Sequence, residues 1–171
     1  MKRVEVKDPK PKKQTSSVIE LEPFGVTGGM HKARPVMLFR EKDGEAVLPV
    51  WLAPVEAGIA LAQHNASGVA SSPHDVTLHV LTSLGVKAEE CHFSELRGHM
   101  QYAEVKFSGS RKMKTVKSRA DHAVSFCLAA KVKFYCTREF LEKCREVEAE
   151  IGQLVMNRQD SRLRNRQQYM N

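Results

Sequence analysis

The sequence predicts an α+β fold: one domain with a mixed or antiparallel sheet, hairpins and about four helices. Three observations lead there. Asp43-Gly44 between two apolar runs is a hairpin signal. Two helical segments are followed by three strand-like runs, separated by Arg97-Gly98 and Ser108-Gly109-Ser110. A further helix from Ser118 runs straight into a short strand, Lys133–Cys136, so helices connect strands that are not sequence neighbours. With 171 residues, 42% of them apolar, the chain can bury one ordinary core.

The elements follow in order. The first strand is Ser17–Leu21, and Pro23-Phe24-Gly25 through Thr27-Gly28-Gly29 reads as turn and loop. Pro35–Arg40 and Ala46–Leu52 are apolar throughout, which predicts central, buried strands, although Pro49 points to a bulge or an edge. Pro54 opens a helix over Val55–His64, with Glu56 in its first turn and Ala57, Ala60, Leu61 and His64 at helical spacing. Ala66–Ser72 is a small, polar loop. Pro73 then starts a second helix, His74–Leu84, with Val76, Val80, Leu81 and Leu84 as its apolar face and Gly85 as its stop. Strands at Val86–Glu95, Gly98–Phe107 and Met113–Lys117 precede the Ser118 helix, whose apolar face is Ala123, Phe126, Cys127 and Ala130. Thr137 is a suitable N-cap for a last helix with Phe140, Leu141, Cys144, Val147 and Ile151 on one face.

Charge divides the chain into three parts: basic, flexible tails at 1–15 and 153–171, and a domain at 16–152. Met1–Lys13 carries six Lys/Arg against two acids, and Met156–Asn171 four Arg against one Asp. The intervening body balances 17 basic with 17 acidic residues, so the net charge of +7 belongs to the tails. Such tails serve either nucleic-acid contact or solubility. Within the body, Val105–Ala120 holds Lys106, Arg111, Lys112, Lys114, Lys117 and Arg119 and no acid. That run is either a nucleic-acid-binding face or a strand edge guarded by lysines against edge-to-edge pairing. No apolar run approaches the roughly 18 residues of a membrane span, and Met1–Lys13 lacks the apolar stretch of a signal peptide. Cys91, Cys127, Cys136 and Cys144 are scattered, without a C-x-x-C pair, and are expected as reduced thiols in a cytoplasmic protein.

The most informative segment is Ser118–Cys136. Arg119, Asp121 and His122 open a helix where free backbone N–H groups and the helix dipole favour an anion, so this is a plausible phosphate-facing site. Together with two other blocks it resembles the bifunctional nuclease family. Val47-Leu48-Pro49-Val50-Trp51-Leu52-Ala53-Pro54-Val55-Glu56-Ala57 is similar to that family's L-P-I-W-I-G-x-x-E-A, and accounts for Pro49. His74-Asp75-Val76 falls where the family reads R-P-x-T-H-D-L. Arg119–Phe126 falls where it reads R-P-S-D-A-I-A-L, continuing to P-I-Y-V at Lys133-Phe134-Tyr135-Cys136. The blocks keep their order and spacing from about Ser17 to Tyr135. There are two departures. Ala70-Ser71 stands in place of Arg-Pro, and Ala120-Asp121-His122 in place of Pro-Ser-Asp. This is a divergent member by resemblance.

The resemblance implies hydrolysis of DNA or RNA phosphodiester bonds. Cleavage requires in-line attack, neutralisation of phosphorane charge and a proton shuttle or metal-bound hydroxide. The catalytic candidates are Glu56, His74, Asp75, Arg119, Asp121 and His122. His74 or His122 would be the general base and Arg119 the phosphate clamp, with Glu56 and Asp75 orienting a histidine or holding a divalent cation. Carboxylates in a first helical turn are also ordinary complements to the dipole. Two other readings stay open: a non-catalytic nucleic-acid-binding or regulatory module, and an oligomeric scaffold in which apolar strands pair across subunits.

Overall fold

The computed structural model describes residues 17–27, 34–64 and 72–147. The basic tails, Gly28-Gly29, the loop Ala66–Ser71 and Ile151 lie outside the described residues. In chain order the elements are β1 (Val18–Thr27), β2 (Val36–Glu41), β3 (Val47–Trp51), α1 (Pro54–His64), α2 (Pro73–Ser83), β4 (Lys87–Arg97), β5 (Met100–Ser108), β6 (Thr115–Arg119), α3 (Ala120–Ala129) and β7 (Lys133–Thr137). A fourth helix, α4, starts at 138 and is described through 147. The α+β class and the four helices match the sequence reading.

The seven strands form one mixed sheet in the order β3-β2-β1-β7-β4-β5-β6. It consists of two antiparallel meanders, β1-β2-β3 and β4-β5-β6, with β7 inserted between them. β7 pairs antiparallel with β1 (Val18↔Thr137 to Leu21↔Phe134) and parallel with β4 (Glu90↔Lys133 to Phe93↔Cys136). Alternate residues on six of the strands, all but β6, face one core: Ile19 and Leu21, Met37 and Phe39, Leu48 and Val50, Cys91 and Phe93, Ala103 and Val105, Phe134 and Cys136. At its centre the Phe39 ring lies 5.2 Å from Phe93 and 4.8 Å from Phe134, and α4 adds Phe140, stacked 6.3 Å from Phe93. α1 contributes Ala57 and Ala60, and α3 Ala123, Val124 and Cys127. All four cysteines are buried thiols. Burial pushes the Cys136 thiol up to about 12, and the Cys127 thiol is raised by its hydrogen bond with Cys91 and then by burial, so both stay protonated.

Four expectations need correction. β1 does not end at Leu21 with a turn at Pro23-Phe24-Gly25. It bulges there, with a register shift between Pro23 and Gly25, and continues as Gly25↔Leu38, Val26↔Met37 and Thr27↔Val36. Proline removes one ladder donor without ending a strand that a neighbour holds on both sides of the bulge. The second correction concerns β3, which is outermost rather than central, so Pro49 sits on an edge strand. Its apolar run is buried because the sheet curls. Gln101 of β5 reaches across to β3, its Oε1 accepting from Trp51 N–H at 3.1 Å and its Nε2 donating to the Pro49 carbonyl at 2.7 Å. The side-chain amide stands in for a missing neighbouring strand. Gln101 Nε2 also contacts Cys144 Sγ of α4 at 3.3 Å.

Third, the apolar face read for α2 is not covered. No residue of the helix is buried, and Val76, Val80 and Leu84 are exposed. α2 is instead fixed at its ends, by a capping box at Ser72 and by a C-terminal turn in which Val86 N–H donates to the Leu81 carbonyl. Fourth, Arg119 ends β6 in extended conformation and N-caps α3, so the helix begins at Ala120 rather than Ser118. Thr137 caps α4 as read, its Oγ1 accepting from Phe140 N–H at 3.1 Å.

Replacing Gln101 with Leu keeps the bulk but strands a buried N–H and a buried carbonyl on β3. Chemical denaturation is expected to show a loss of about 2–4 kcal/mol, with faster amide exchange at Trp51. An unchanged midpoint would mean that the β3 edge is held by other contacts.

Candidate active site

The candidate residues lie at the N-terminal turns of three helices. Pro54 starts α1 and puts Glu56 in its first turn, and Pro73 starts α2 and puts His74 there. β6 delivers Arg119 to the start of α3, followed by Asp121 and His122. The Ser125 hydroxyl of α3 donates to the Glu56 carbonyl at 3.2 Å, which ties α3 to α1 at this level.

Glu56 is the hub of one half. Its Oε2 is 3.2 Å from His74 Nε2, and its Oε1 is 3.8 Å from His122 Nδ1. Asp121, only 3% exposed, is the hub of the other half. Arg119 grips it with two prongs, Nε to Oδ1 at 3.0 Å and Nη2 to Oδ2. Arg34 Nη2 approaches the same Oδ2 at 3.8 Å, and His122 Nε2 lies 3.9 Å from Oδ1. Five of the six catalytic candidates thus form a continuous chain in which carboxylates alternate with imidazoles and a guanidinium: His74, Glu56, His122, Asp121 and Arg119. The hydrogen bond to Asp121 raises the Arg119 guanidinium further above its already high value, so it is a fixed cation. The Asp121 carboxylate is buried and that of Glu56 partly buried, whereas His122 and the two arginines reach solvent. A phosphate approaching this surface meets the guanidiniums first.

Asp75 does not join this chain. Its carboxylate accepts from Ser72 N–H at 2.6 Å and from the Ser72 hydroxyl at 3.0 Å, while Ser72 Oγ accepts in return from Asp75 N–H. Those bonds, the backbone one first, hold the Asp75 carboxyl below the usual range. The two residues offered for a divalent cation are therefore engaged separately, Glu56 with imidazoles and Asp75 with a helix cap. Among the described residues no group of three His, Cys, Asp or Glu side chains gathers as a metal-ligand set. The residues present do not fit a preformed divalent-cation site.

The basic run is divided. Lys106 Nζ is paired with Glu90 at 3.0 Å, and Lys117 with Glu95 and, at 3.8 Å, with Glu104. The bonds from Arg97 and Lys117 hold the Glu95 carboxyl down at about 2. Arg111, Lys112 and Lys114 sit exposed in the loop between β5 and β6, without an ion pair among the described residues. β6 is the far edge of the sheet, which also suits the edge-guarding reading of these lysines.

Sequence reasoning missed Arg34, the second cation on Asp121, because it stands alone before Pro35 and far from the other site residues in sequence. It also missed a cleft beside Asp121 lined by Arg34, Trp51, His99, Met100 and Gln101. The bulky Trp51 in its Pro49-Val50-Trp51 block was the available signal.

A small α+β domain with acid–base groups and anchored guanidiniums gathered at helix N-termini is the class that fold and site define. The model of the bifunctional nuclease domain matches residues 37–149, well over half of the chain, and the chain belongs to that family. It is also similar to two proteins of Mycobacterium tuberculosis. These are the uncharacterized protein MT1877 of strain CDC 1551 / Oshkosh and the uncharacterized protein Rv1829 of strain ATCC 25618 / H37Rv. Each is 27% identical over 142 residues, covering 82% of this chain and 80% of the relative. Membership ties the chain to nucleic-acid-related function.

Because the Asp75 carboxyl is depressed in the folded state, the stability it contributes is present above the unfolded value, about 4, and is lost as pH falls through the folded value. The stability difference between wild type and Asp75→Asn, followed by thermal melts, is expected to shrink on acidification below about pH 4. A constant difference would mean that the cap does not depend on the charge.

Proposed function

We propose that this protein binds nucleic acid at the helix-terminus site and hydrolyses its phosphodiester backbone without sequence preference. The observation that carries this reading is the His74–Glu56–His122 arrangement beside the Asp121-anchored arginines, in a chain of the bifunctional nuclease domain family. Arg119, with Arg34, holds a phosphate and offsets the charge that builds on it. His122 is the better placed base: it is the more exposed imidazole, and Glu56 lies against its Nδ1. It removes a proton from the attacking water, whose oxygen bonds to phosphorus as the bond from phosphorus to the leaving oxygen breaks, and the leaving oxygen takes up a proton from solvent. His74, hydrogen-bonded to the other oxygen of Glu56, sets the orientation of that carboxylate. Arg111, Lys112 and Lys114 extend the contact along the strand, and the basic tails add to it.

Location and assembly complete the reading. Four buried cysteine thiols suit the reducing cytoplasm. Among the described residues no helix is long and apolar enough to cross a membrane. The exposed Val76, Val80 and Leu84 on α2 favour a homo-oligomer. On that basis sedimentation of the whole chain is expected to show a dimer or larger, and Val80→Lys to shift it toward monomer; a monomeric wild type would end this part of the reading.

The activity is tested on single-stranded DNA and RNA, with and without divalent cations, using wild type, His122→Ala, His74→Ala and Arg119→Ala prepared identically. Removing the base or the clamp is expected to lower the rate about 100-fold or more, with folding intact by circular dichroism. Cleavage that is absent, or that survives all three substitutions, would refute the nuclease reading.

A further inference from the structure

Trp51 is the one tryptophan of the chain, and it ends β3 beside the arginine pair. It lines a narrow cleft with Arg34, His99, Met100, Gln101 and Asp121. Two of these walls are already engaged inside the molecule. The Gln101 amide bonds Trp51 N–H, the Pro49 carbonyl and Cys144, and the Asp121 carboxylate holds Arg119 and Arg34. The Gln101 amide and the Asp121 carboxylate are therefore occupied. The Trp51 indole is partly exposed, and among the described residues no other aromatic ring stacks on it. His99 is exposed in the β4–β5 turn, where Gly98 has a φ of 56°, and Met100 is partly exposed beside it. Arg34 is half-exposed, with guanidinium N–H groups left over from Asp121.

A partly exposed indole on which no other ring stacks among the described residues, next to anchored guanidiniums, matches the chemistry of an unstacked base attached to its phosphate. In a duplex both faces of each base are covered by neighbours, so only a single strand or a flipped base offers one. We propose that Trp51, flanked by His99 and Met100, is a stacking subsite for an unpaired nucleobase, with the adjacent phosphate on Arg34 and Arg119, and that the substrate is therefore single-stranded. This rests on the nucleic-acid reading above and specifies its substrate. Stacking holds a base by its face, which every base has, so the subsite selects strandedness rather than sequence.

The sole indole makes its own reporter. The full chain is titrated, following tryptophan emission and anisotropy of a labelled strand, with three probes of equal length: a phosphorothioate single strand, the corresponding duplex, and an abasic strand of the same charge. The single strand is expected to change Trp51 emission saturably, and the duplex and abasic strand to leave it unchanged. Trp51→Leu is expected to bind the single strand about 5- to 100-fold more weakly and the abasic strand as wild type does, with Trp51→Phe restoring most of the difference. His99→Ala, on an exposed turn, is the second variant should Trp51→Leu fail to fold, and is expected to weaken binding of the single strand alone. Equal emission changes with the abasic strand, or variants that weaken both strands equally, would overturn the subsite. If wild type binds and cleaves single strands while Trp51 emission stays unchanged, the subsite falls and the nuclease reading stands. If none of the probes binds, both fall together.

Discussion

Insertion of β7 between two meanders is the constraint on which the rest of this structure depends. Neither three-stranded meander has a second layer of its own, and each would expose an edge at β1 or β4. β7 closes both edges at once and places Phe134 against Phe39 of one meander and Phe93 of the other. The chain reaches β7 only through α3, by a short turn in which Lys131 takes a left-handed φ of 54°. The start of α3 is therefore set by the same core that joins the meanders. Glu56 and His74 come to it on α1 and α2, and the Ser125–Glu56 bond shows how closely α1 is locked in.

The electrostatics of the site follow from Asp121. A carboxylate this deeply buried requires charged or hydrogen-bonded partners, since removing it from water is costly. Arg119 and Arg34 satisfy it, and in doing so their own positions are fixed. Cations held in place before a ligand arrives need little reorganisation when it does, which is the condition for effective charge stabilisation. The lysines of the basic run are different. Lys106 and Lys117 are neutralised in place by Glu90, Glu95 and Glu104 on neighbouring strands, acids that lie outside the run in sequence. A charge run read along the chain sees neighbours in sequence, whereas a sheet pairs each residue with a neighbour in another strand.

That difference also explains what was legible. Elements with local signals were read correctly in kind: the Asp43-Gly44 hairpin, the Pro54 and Pro73 helix starts, the Thr137 cap. The same holds for the three blocks that carry the family resemblance. What failed depended on sheet neighbours. Pro23-Phe24-Gly25 has every local mark of a turn, yet β2 keeps it in the sheet as a bulge. The β3 run looks central because it is apolar, but a curled sheet and Gln101 bury an edge strand equally well. Val76, Val80 and Leu84 form a helical stripe that spacing alone assigns to a core, and only the placement of α2 shows it facing outward. Among the candidate residues, Glu56, His74, Arg119, Asp121 and His122 could be singled out in the sequence because they cluster at helix starts. Arg34 could not, since nothing near it in sequence marks it as a partner of Asp121.

The two edges of the sheet are managed by different means, and the difference bears on where a ligand can sit. The β6 edge follows a loop whose cations, Arg111, Lys112 and Lys114, have no ion pair among the described residues; their charge keeps the edge from pairing with another strand while attracting anions. The β3 edge is closed from within, by an amide that satisfies backbone groups at Pro49 and Trp51. Closing it this way holds the end of β3 at a fixed distance from β5, and the gap between them becomes the cleft beside Asp121. A neighbouring strand in place of Gln101 would have filled that gap. The side chain that completes the fold thus leaves Trp51 partly exposed beside Arg34 and Asp121, and the cleft is a consequence of how the sheet ends.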